Sequence, residues 1–241
     1  MTKKGVDRRT YQGMLKGFQQ RIGVAFREQA LLEEALTHSS FANECPHLGI
    51  KDSQRLEFLG DAILDLLVGE WLYLRYPEID EGELTSIRAH IVRTEGLAAF
   101  AHEIDLGDCL RLGRGEASSG GASRLANLCA GFEALVGAMY LDQGVKTTRS
   151  WVQGFLERHA SAIDSWRQSK DPKTLLQEYA QAQLRVTPSY RIVHEEGPAH
   201  AKIFTAEVII GQDTWGKGRG ATKQAAEQAA AQVALHKHHL S

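Results

Sequence analysis

Apolar residues recur at three- and four-residue spacing through the first two-thirds of the chain, the pattern of helices that bury one face. Five segments carry it: "LLEEALTH" (31–38), "FLGDAILDLLVGEWLYLRY" (58–76), "ELTSIRAHIVRTEGLAAFAHEI" (83–104), "LANLCAGFEALVGAMYLD" (125–142) and "TTRSWVQGFLERHASAI" (147–163). Pro77 follows the second and Gly144 follows the fourth, as helix ends favour. Leu128, Phe132, Leu135 and Met139 form one stripe of the fourth. Between the third and fourth, "RGEASSGGASR" (114–124) is rich in Gly and Ser and reads as a loop.

The pattern changes near residue 165. "DSWRQSKDP" is polar, and Pro172 opens a new helix, "KTLLQEYAQAQL". Three β-like segments follow: "SYRIVHE", the alternating "AKIFTAEVIIG", and "DTWGKG", the weakest of the three. An Ala-rich helix capped by Thr222 closes the chain. The expected architecture is therefore two domains. An all-α domain spans residues 1–165, a linker 166–171, and an α+β domain of order α-β-β-β-α residues 172–241.

Composition narrows the class. The chain has 241 residues, 43% hydrophobic and 24% charged, ordinary for a globular protein with room for two modest cores. Asp61, Asp65 and Glu70 interrupt the most apolar helix too often for a membrane span. The start "MTKKGVDRRT" shows no secretory signal, and three cysteines without CxxC spacing fit a reducing cytoplasm rather than a disulfide framework or zinc site. Net charge is −2, so any nucleic-acid surface has to be a local patch; residues 171–241 hold 8 Lys+Arg against 7 Asp+Glu, with five histidines.

In "RLEFLGDAIL" (55–64), Glu57 and Asp61 stand four apart among core-type residues, so they project together from one helix face. Two like charges so placed repel, and solvent, Arg55, Arg88 or a cation has to compensate. A third acid, Glu133, interrupts another apolar helix. Three carboxylates suit a hard divalent ion such as Mg²⁺, which takes oxygen ligands and keeps several waters. Each acid alone reads more readily as a solvated surface residue than as a ligand.

"RLEFLGDAIL", with "LTHSSFANE" before it and "YPEIDEGELTSIRAHIVR" and "FEALVGAMYLDQG" after it, resembles the ribonuclease III family in nearly every letter and in order. The tail from Pro172 resembles a double-stranded-RNA-binding domain. The resemblance implies an all-helical, homodimeric endonuclease domain followed by an RNA-binding module. It further implies hydrolysis of double-stranded RNA to 5′-phosphate and 3′-hydroxyl ends, in ribosomal and messenger RNA processing. By resemblance, Glu57 and Glu133 are metal ligands, Asp61 and Glu133 are catalytic, and Phe58, which alone reads as core, packs across the dimer interface. The implied cofactor is Mg²⁺, with Mn²⁺ as a substitute. The implied partner is double-stranded RNA, with no membrane and no small-molecule cofactor.

In the RNA module the resemblance assigns Thr174, Gln177 and Glu178 to one minor groove, His200 to the next, and Lys217 and Lys223 to phosphates. The i, i+3, i+4 spacing of the first three does give one helix face. One departure stands out. Ala130 occupies a position where the family carries Asp, and alanine cannot ligate a metal. Cys129 beside it is a soft donor expected to point elsewhere. Ala130 leaves open a non-catalytic double-stranded-RNA-binding protein on the same fold.

Overall fold

The computed structural model describes residues 8–168, 172–197 and 202–238. The chain folds as two compact units, 1–161 and 162–241. Of the expected linker 166–171, residues 166–168 continue a helix and residues 169–171 lie outside the described residues.

The first unit is helical throughout. Helices α1 (Arg8–Ile22), α2 (Gln29–Ala35), α3 (Ser39–Glu44), α4 (Gln54–Arg75), α5 (Glu81–Val92), α6 (Thr94–Glu103) and α7 (Arg114–Ser118) precede the long α8 (Leu125–Gln168). The expected stripe on α8 is buried: Leu128 is 1% exposed, and Phe132, Leu135 and Met139 are fully enclosed. Phe100, Phe132, Trp151 and Phe155 pack ring against ring around it. Gly144, at φ 76°, breaks α8 where the sequence places a helix end.

Two expectations need correction. The segment 83–104 is two helices, because Arg93 is extended at ψ 162°. Gly96 allows α6 to fold back there, since a Cβ would meet the Ile91 carbonyl oxygen at 2.1 Å. The segment 114–124 is not an irregular loop either. It holds α7 and a 3₁₀ turn over Gly121–Ser123, tied by Asn127 Nδ2 donating to Glu116 Oε1 (2.7 Å) and to the Gly121 carbonyl (3.0 Å).

Asp142 secures the entry to α2. It is 8% exposed, and its carboxylate accepts from the backbone N–H groups of Arg27 (2.9 Å) and Glu28 (2.7 Å). Burial works against its ionised form, but these N–H donors and Gln143 outweigh that and lower its pKa.

The second unit places α9 (Pro172–Tyr179) before a three-stranded antiparallel sheet, β1 (Ser189–Glu196), β2 (Ile203–Ile210) and β3 (Asp213–Gly220), in that order, and then α10 (Lys223–Lys237). Thr222 caps α10, its hydroxyl accepting from the Ala225 N–H at 3.0 Å. Strand β3 is a full eight residues, longer than its glycines suggest. The reason is steric: a Cβ on Gly216 would meet the Ala230 carbonyl oxygen at 2.3 Å, and one on Gly218 the Ala230 nitrogen at 2.1 Å. Alternate glycines on β3 therefore let α10, itself lined by Ala226, Ala230 and Ala234, lie directly on the sheet.

Candidate active site and RNA interface

Helices α4 and α8 meet backbone to backbone, and that contact builds the acidic site. A Cβ on Gly60 would lie 1.8 Å from the Glu133 carbonyl oxygen, and one on Gly137 would lie 2.3 Å from the Leu56 carbonyl oxygen. Only glycine permits this approach. Glu57 and Asp61 flank Gly60 on α4, and Glu133 lies one turn before Gly137 on α8, so the crossing brings three acids from distant sequence together.

Their electrostatics record the proximity. Glu133 is pushed up to about 7, first by burial and then by the charges of Asp61 and Glu57. Glu57 is raised by burial, with Asp52 and Asp61 adding to the effect and His38 opposing it. Among the described residues, none of the three acids has a Lys or Arg partner. Arg88, a candidate for compensation, sits against Asp65 instead, at 3.8 Å.

The donor chemistry fits a hard divalent cation: the half-buried carboxylates of Glu57 and Glu133 and the exposed one of Asp61, whose mutual repulsion such a cation would relieve. Among the described residues no three His, Cys, Asp or Glu side chains converge tightly enough to hold an ion unaided. Water and phosphate oxygens therefore have to complete any shell.

Cys129 requires a correction. It does not point elsewhere: its thiol, on a side chain 9% exposed, lies 3.6 Å from Glu133 Oε1. Burial and the carboxylates of Glu133, Glu57 and Asp61 push that thiol up to about 12. The signal was available, since Cys129 precedes Glu133 by the same four residues that separate Glu57 from Asp61. His38 was also overlooked. It caps α3, its Nδ1 accepting from the Ser40 N–H at 3.2 Å, and it lies close enough to Glu57 and Glu116 to influence both carboxyls. The same stretch straps the chain beyond Arg111: the Gly113 N–H donates to Ser40 Oγ (2.9 Å) and the Arg114 N–H to Glu44 Oε2 (3.0 Å).

Phe58 is not core. It is 81% exposed, and Leu66 (63%) and Tyr73 (72%) continue the same stripe of α4. The spacing 58, 66, 73 keeps these side chains within about one quadrant of the helix.

On the second unit, Thr174 and Gln177 are exposed on α9 and Glu178 is half-buried, while Leu176 between them is fully buried. His200 lies outside the described residues. Lys217 and Lys223 are exposed, and each is engaged by a glutamate. Lys217 Nζ lies 3.4 Å from Glu207, and Glu195 bridges Lys223 (3.7 Å) and Lys202 (2.9 Å). Arg219 pairs with Glu196 at 2.6 Å. Lys202 and Lys223 both also lie over the Phe204 ring, at 6.0 and 5.8 Å from its centroid.

Two families match the chain: Ribonuclease-III-like over residues 28–159, and the double-stranded RNA binding motif over residues 172–238. Ribonuclease 3 of Enterococcus faecalis is 44% identical over 216 residues, covering 90% of this chain and 94% of that protein. Ribonuclease 3 of Roseiflexus sp. is 45% identical over 217 residues, covering 89% and 92%. The nuclease domain of ribonuclease III from Campylobacter jejuni is similar in structure, with a TM-score of 0.56 at 33% identity over 60% of this chain and 96% of that one. That domain has structural flexibility in a region involved in dimer formation.

Proposed function

The chain belongs to the ribonuclease III family and is a double-stranded-RNA-specific endoribonuclease; from that premise we propose which of its residues bind the duplex and cut it. No observation favours a non-catalytic RNA-binding role. Divalent-metal dependence follows from the family, and we assign Mg²⁺ as the working ion, with Mn²⁺ as a substitute.

Glu57 and Glu133 would hold the ion, with Asp61 assisting at the reacting phosphate. A divalent cation bound there would supply an activated water and screen charge on the phosphoryl oxygens. The protein's own part is to hold the carboxylates on two helices whose glycine contact leaves little freedom to splay. Breaking the bond between phosphorus and the 3′-oxygen leaves a 5′-phosphate on one fragment and a 3′-hydroxyl on the other. With Ala130 in place of a fourth carboxylate, the site binds its ion more weakly and needs more of it.

The domain assignment is a nuclease domain over residues 1–165, a linker over 166–171 and an RNA-binding domain over 172–241. In that domain Thr174, Gln177 and Glu178 face one minor groove and His200 the next, while Lys217 and Lys223 meet phosphates. Phe58 anchors a homodimer, and the exposed stripe of α4 supports that assignment, because isolated apolar stripes of this length mark interaction faces. We place the protein in the cytoplasm, working on ribosomal and messenger RNA precursors; among the described residues no helix is long and apolar enough to cross a membrane.

One observation carries the catalytic reading: Glu133 on α8 is brought to Glu57 and Asp61 on α4 with no Lys or Arg partner among the described residues. The test uses end-labelled duplex RNA of about 30–40 base pairs, beyond the module's footprint of roughly 16, with Mg²⁺ titrated. Wild type should give discrete metal-dependent products. Glu133→Gln should lose about a thousandfold in rate, the several kcal/mol that metal catalysis supplies, while still binding the duplex. Cleavage unchanged in that variant would place the metal site elsewhere.

A further inference from the structure

Ala130 removes a carboxylate from α8, yet the neighbouring position is not idle. Cys129 and Glu133 are one helical turn apart, and the thiol lies 3.6 Å from Oε1. Among the described residues it is the hydrogen-bond partner of that carboxylate. We propose that Cys129 is a positioning residue for the nuclease: its S–H donates to Glu133 Oε1 and holds the carboxylate at the α4–α8 crossing, a task that a donor can perform and the absent Asp could not. The inference rests on Glu133 being a metal ligand, as proposed above.

The physical case has three parts. Glu133 has three rotatable side-chain bonds, and fixing such a side chain costs rotamer entropy. Asp61 and Glu57 both repel it, so an unrestrained Glu133 would turn its charge toward water. A thiol carries one S–H, so at 3.6 Å Cys129 meets Glu133 as a weak donor where a carboxylate would meet it as an acceptor only. One Oε1 lone pair is used by the thiol, and the remaining acceptor capacity of the carboxylate stays available to a cation.

Cys109 supplies an internal control. It is 1% exposed, and its sulfur lies 3.6 Å from Arg21 Nη2 rather than beside one of the three acids. Both cysteines are small buried groups, so truncating either removes similar packing.

The measurement is Mn²⁺ affinity of the full chain without RNA, followed by the electron-paramagnetic signal of free ion, with thermal melting alongside. Cys129→Ala should weaken Mn²⁺ binding by roughly threefold to tenfold, the scale of one weak hydrogen bond to a charged group. Cys129→Ser should bind within about twofold of wild type, since its hydroxyl replaces the donor, even though both variants lose packing and melt earlier. Cys109→Ala should also melt earlier but keep wild-type Mn²⁺ affinity. The proposal is overturned if Cys129→Ala binds Mn²⁺ as wild type does, or if Cys129→Ser binds as poorly as the alanine variant. Glu133→Gln separates this from the parent reading: Mn²⁺ affinity intact in that variant would sink the metal site itself, whereas loss there with none in Cys129→Ala sinks the positioning role alone.

Discussion

The two units treat charge in opposite ways. In the helical unit, Glu57, Asp61 and Glu133 share one crossing, none has a basic partner among the described residues, and Glu133 is pushed up to about 7. In the second unit, Lys202, Lys217, Arg219 and Lys223 are each matched to a glutamate on the sheet. The first arrangement holds repulsion that a cation relieves. The second holds attraction that a phosphate has to exchange for its own. Unpaired, partly buried charge gives large responses to its ligand; exposed pairs are weak and give small ones. The proposed metal site and the proposed duplex-binding surface thus differ in how much a ligand would change.

What the units share is glycine against a helix, at Gly60 and Gly137 in one and at Gly216 and Gly218 in the other. The largest expected effect comes from breaking the first contact. Gly60→Ala forces a methyl to within 1.8 Å of the Glu133 carbonyl oxygen, and urea denaturation should register a loss of about 3 kcal/mol or more. Gly69→Ala on the same helix meets nothing within 4 Å and should stabilise by up to about 1 kcal/mol.

A smaller effect sharpens the acidic side of the comparison. Ala130→Asp adds a carboxylate one turn before Glu133. It should lower the Mg²⁺ concentration for half-maximal cleavage by about tenfold, an added ligand worth about 1.4 kcal/mol. An unchanged Mg²⁺ requirement would mean that the three acids already suffice.

The smallest effect belongs to the sheet. Glu195→Gln frees Lys202 and Lys223 from a shared carboxylate, and duplex affinity should rise by about twofold to fivefold, the modest scale of an exposed, solvent-screened pair. Gel-shift titration at low salt reads it, and the gain should shrink as salt rises. Affinity that falls instead would mean Glu195 orients the lysines rather than competing for them.

Much of this was legible in the chain. The stripe of Leu128, Phe132, Leu135 and Met139 and the break at Gly144 follow from helical spacing alone, and so does the pairing of Glu57 with Asp61. Placing Glu133 beside them needed the glycine crossing, a contact between segments about 70 residues apart that no local pattern encodes. Strand β3 was under-read because Gly216 and Gly218 look like turn residues until α10 lies on them. Phe58 alone reads as core, because an apolar residue on a helix usually is; the family resemblance instead assigns it to a dimer interface, and the structure leaves it 81% exposed. Cys129 departs from expectation in geometry and in role: it faces Glu133 rather than pointing elsewhere, and it meets that carboxylate as a hydrogen-bond partner rather than as a ligand.

The central claim, that the three acids repel until a cation joins them, has a direct thermal test. In the fold the Glu133 carboxyl keeps its proton up to about pH 7, against the usual 4.5. The native state therefore binds more protons than the unfolded chain between those values. The associated stability is full at low pH and is lost as pH rises through 7. At pH 8 without metal, Glu133→Gln should melt above wild type, and the gap should close toward pH 4.5. Mg²⁺ should raise the wild-type melting temperature and leave the variant nearly unmoved. A variant that melts no higher at pH 8 and responds to Mg²⁺ as wild type does would contradict the account.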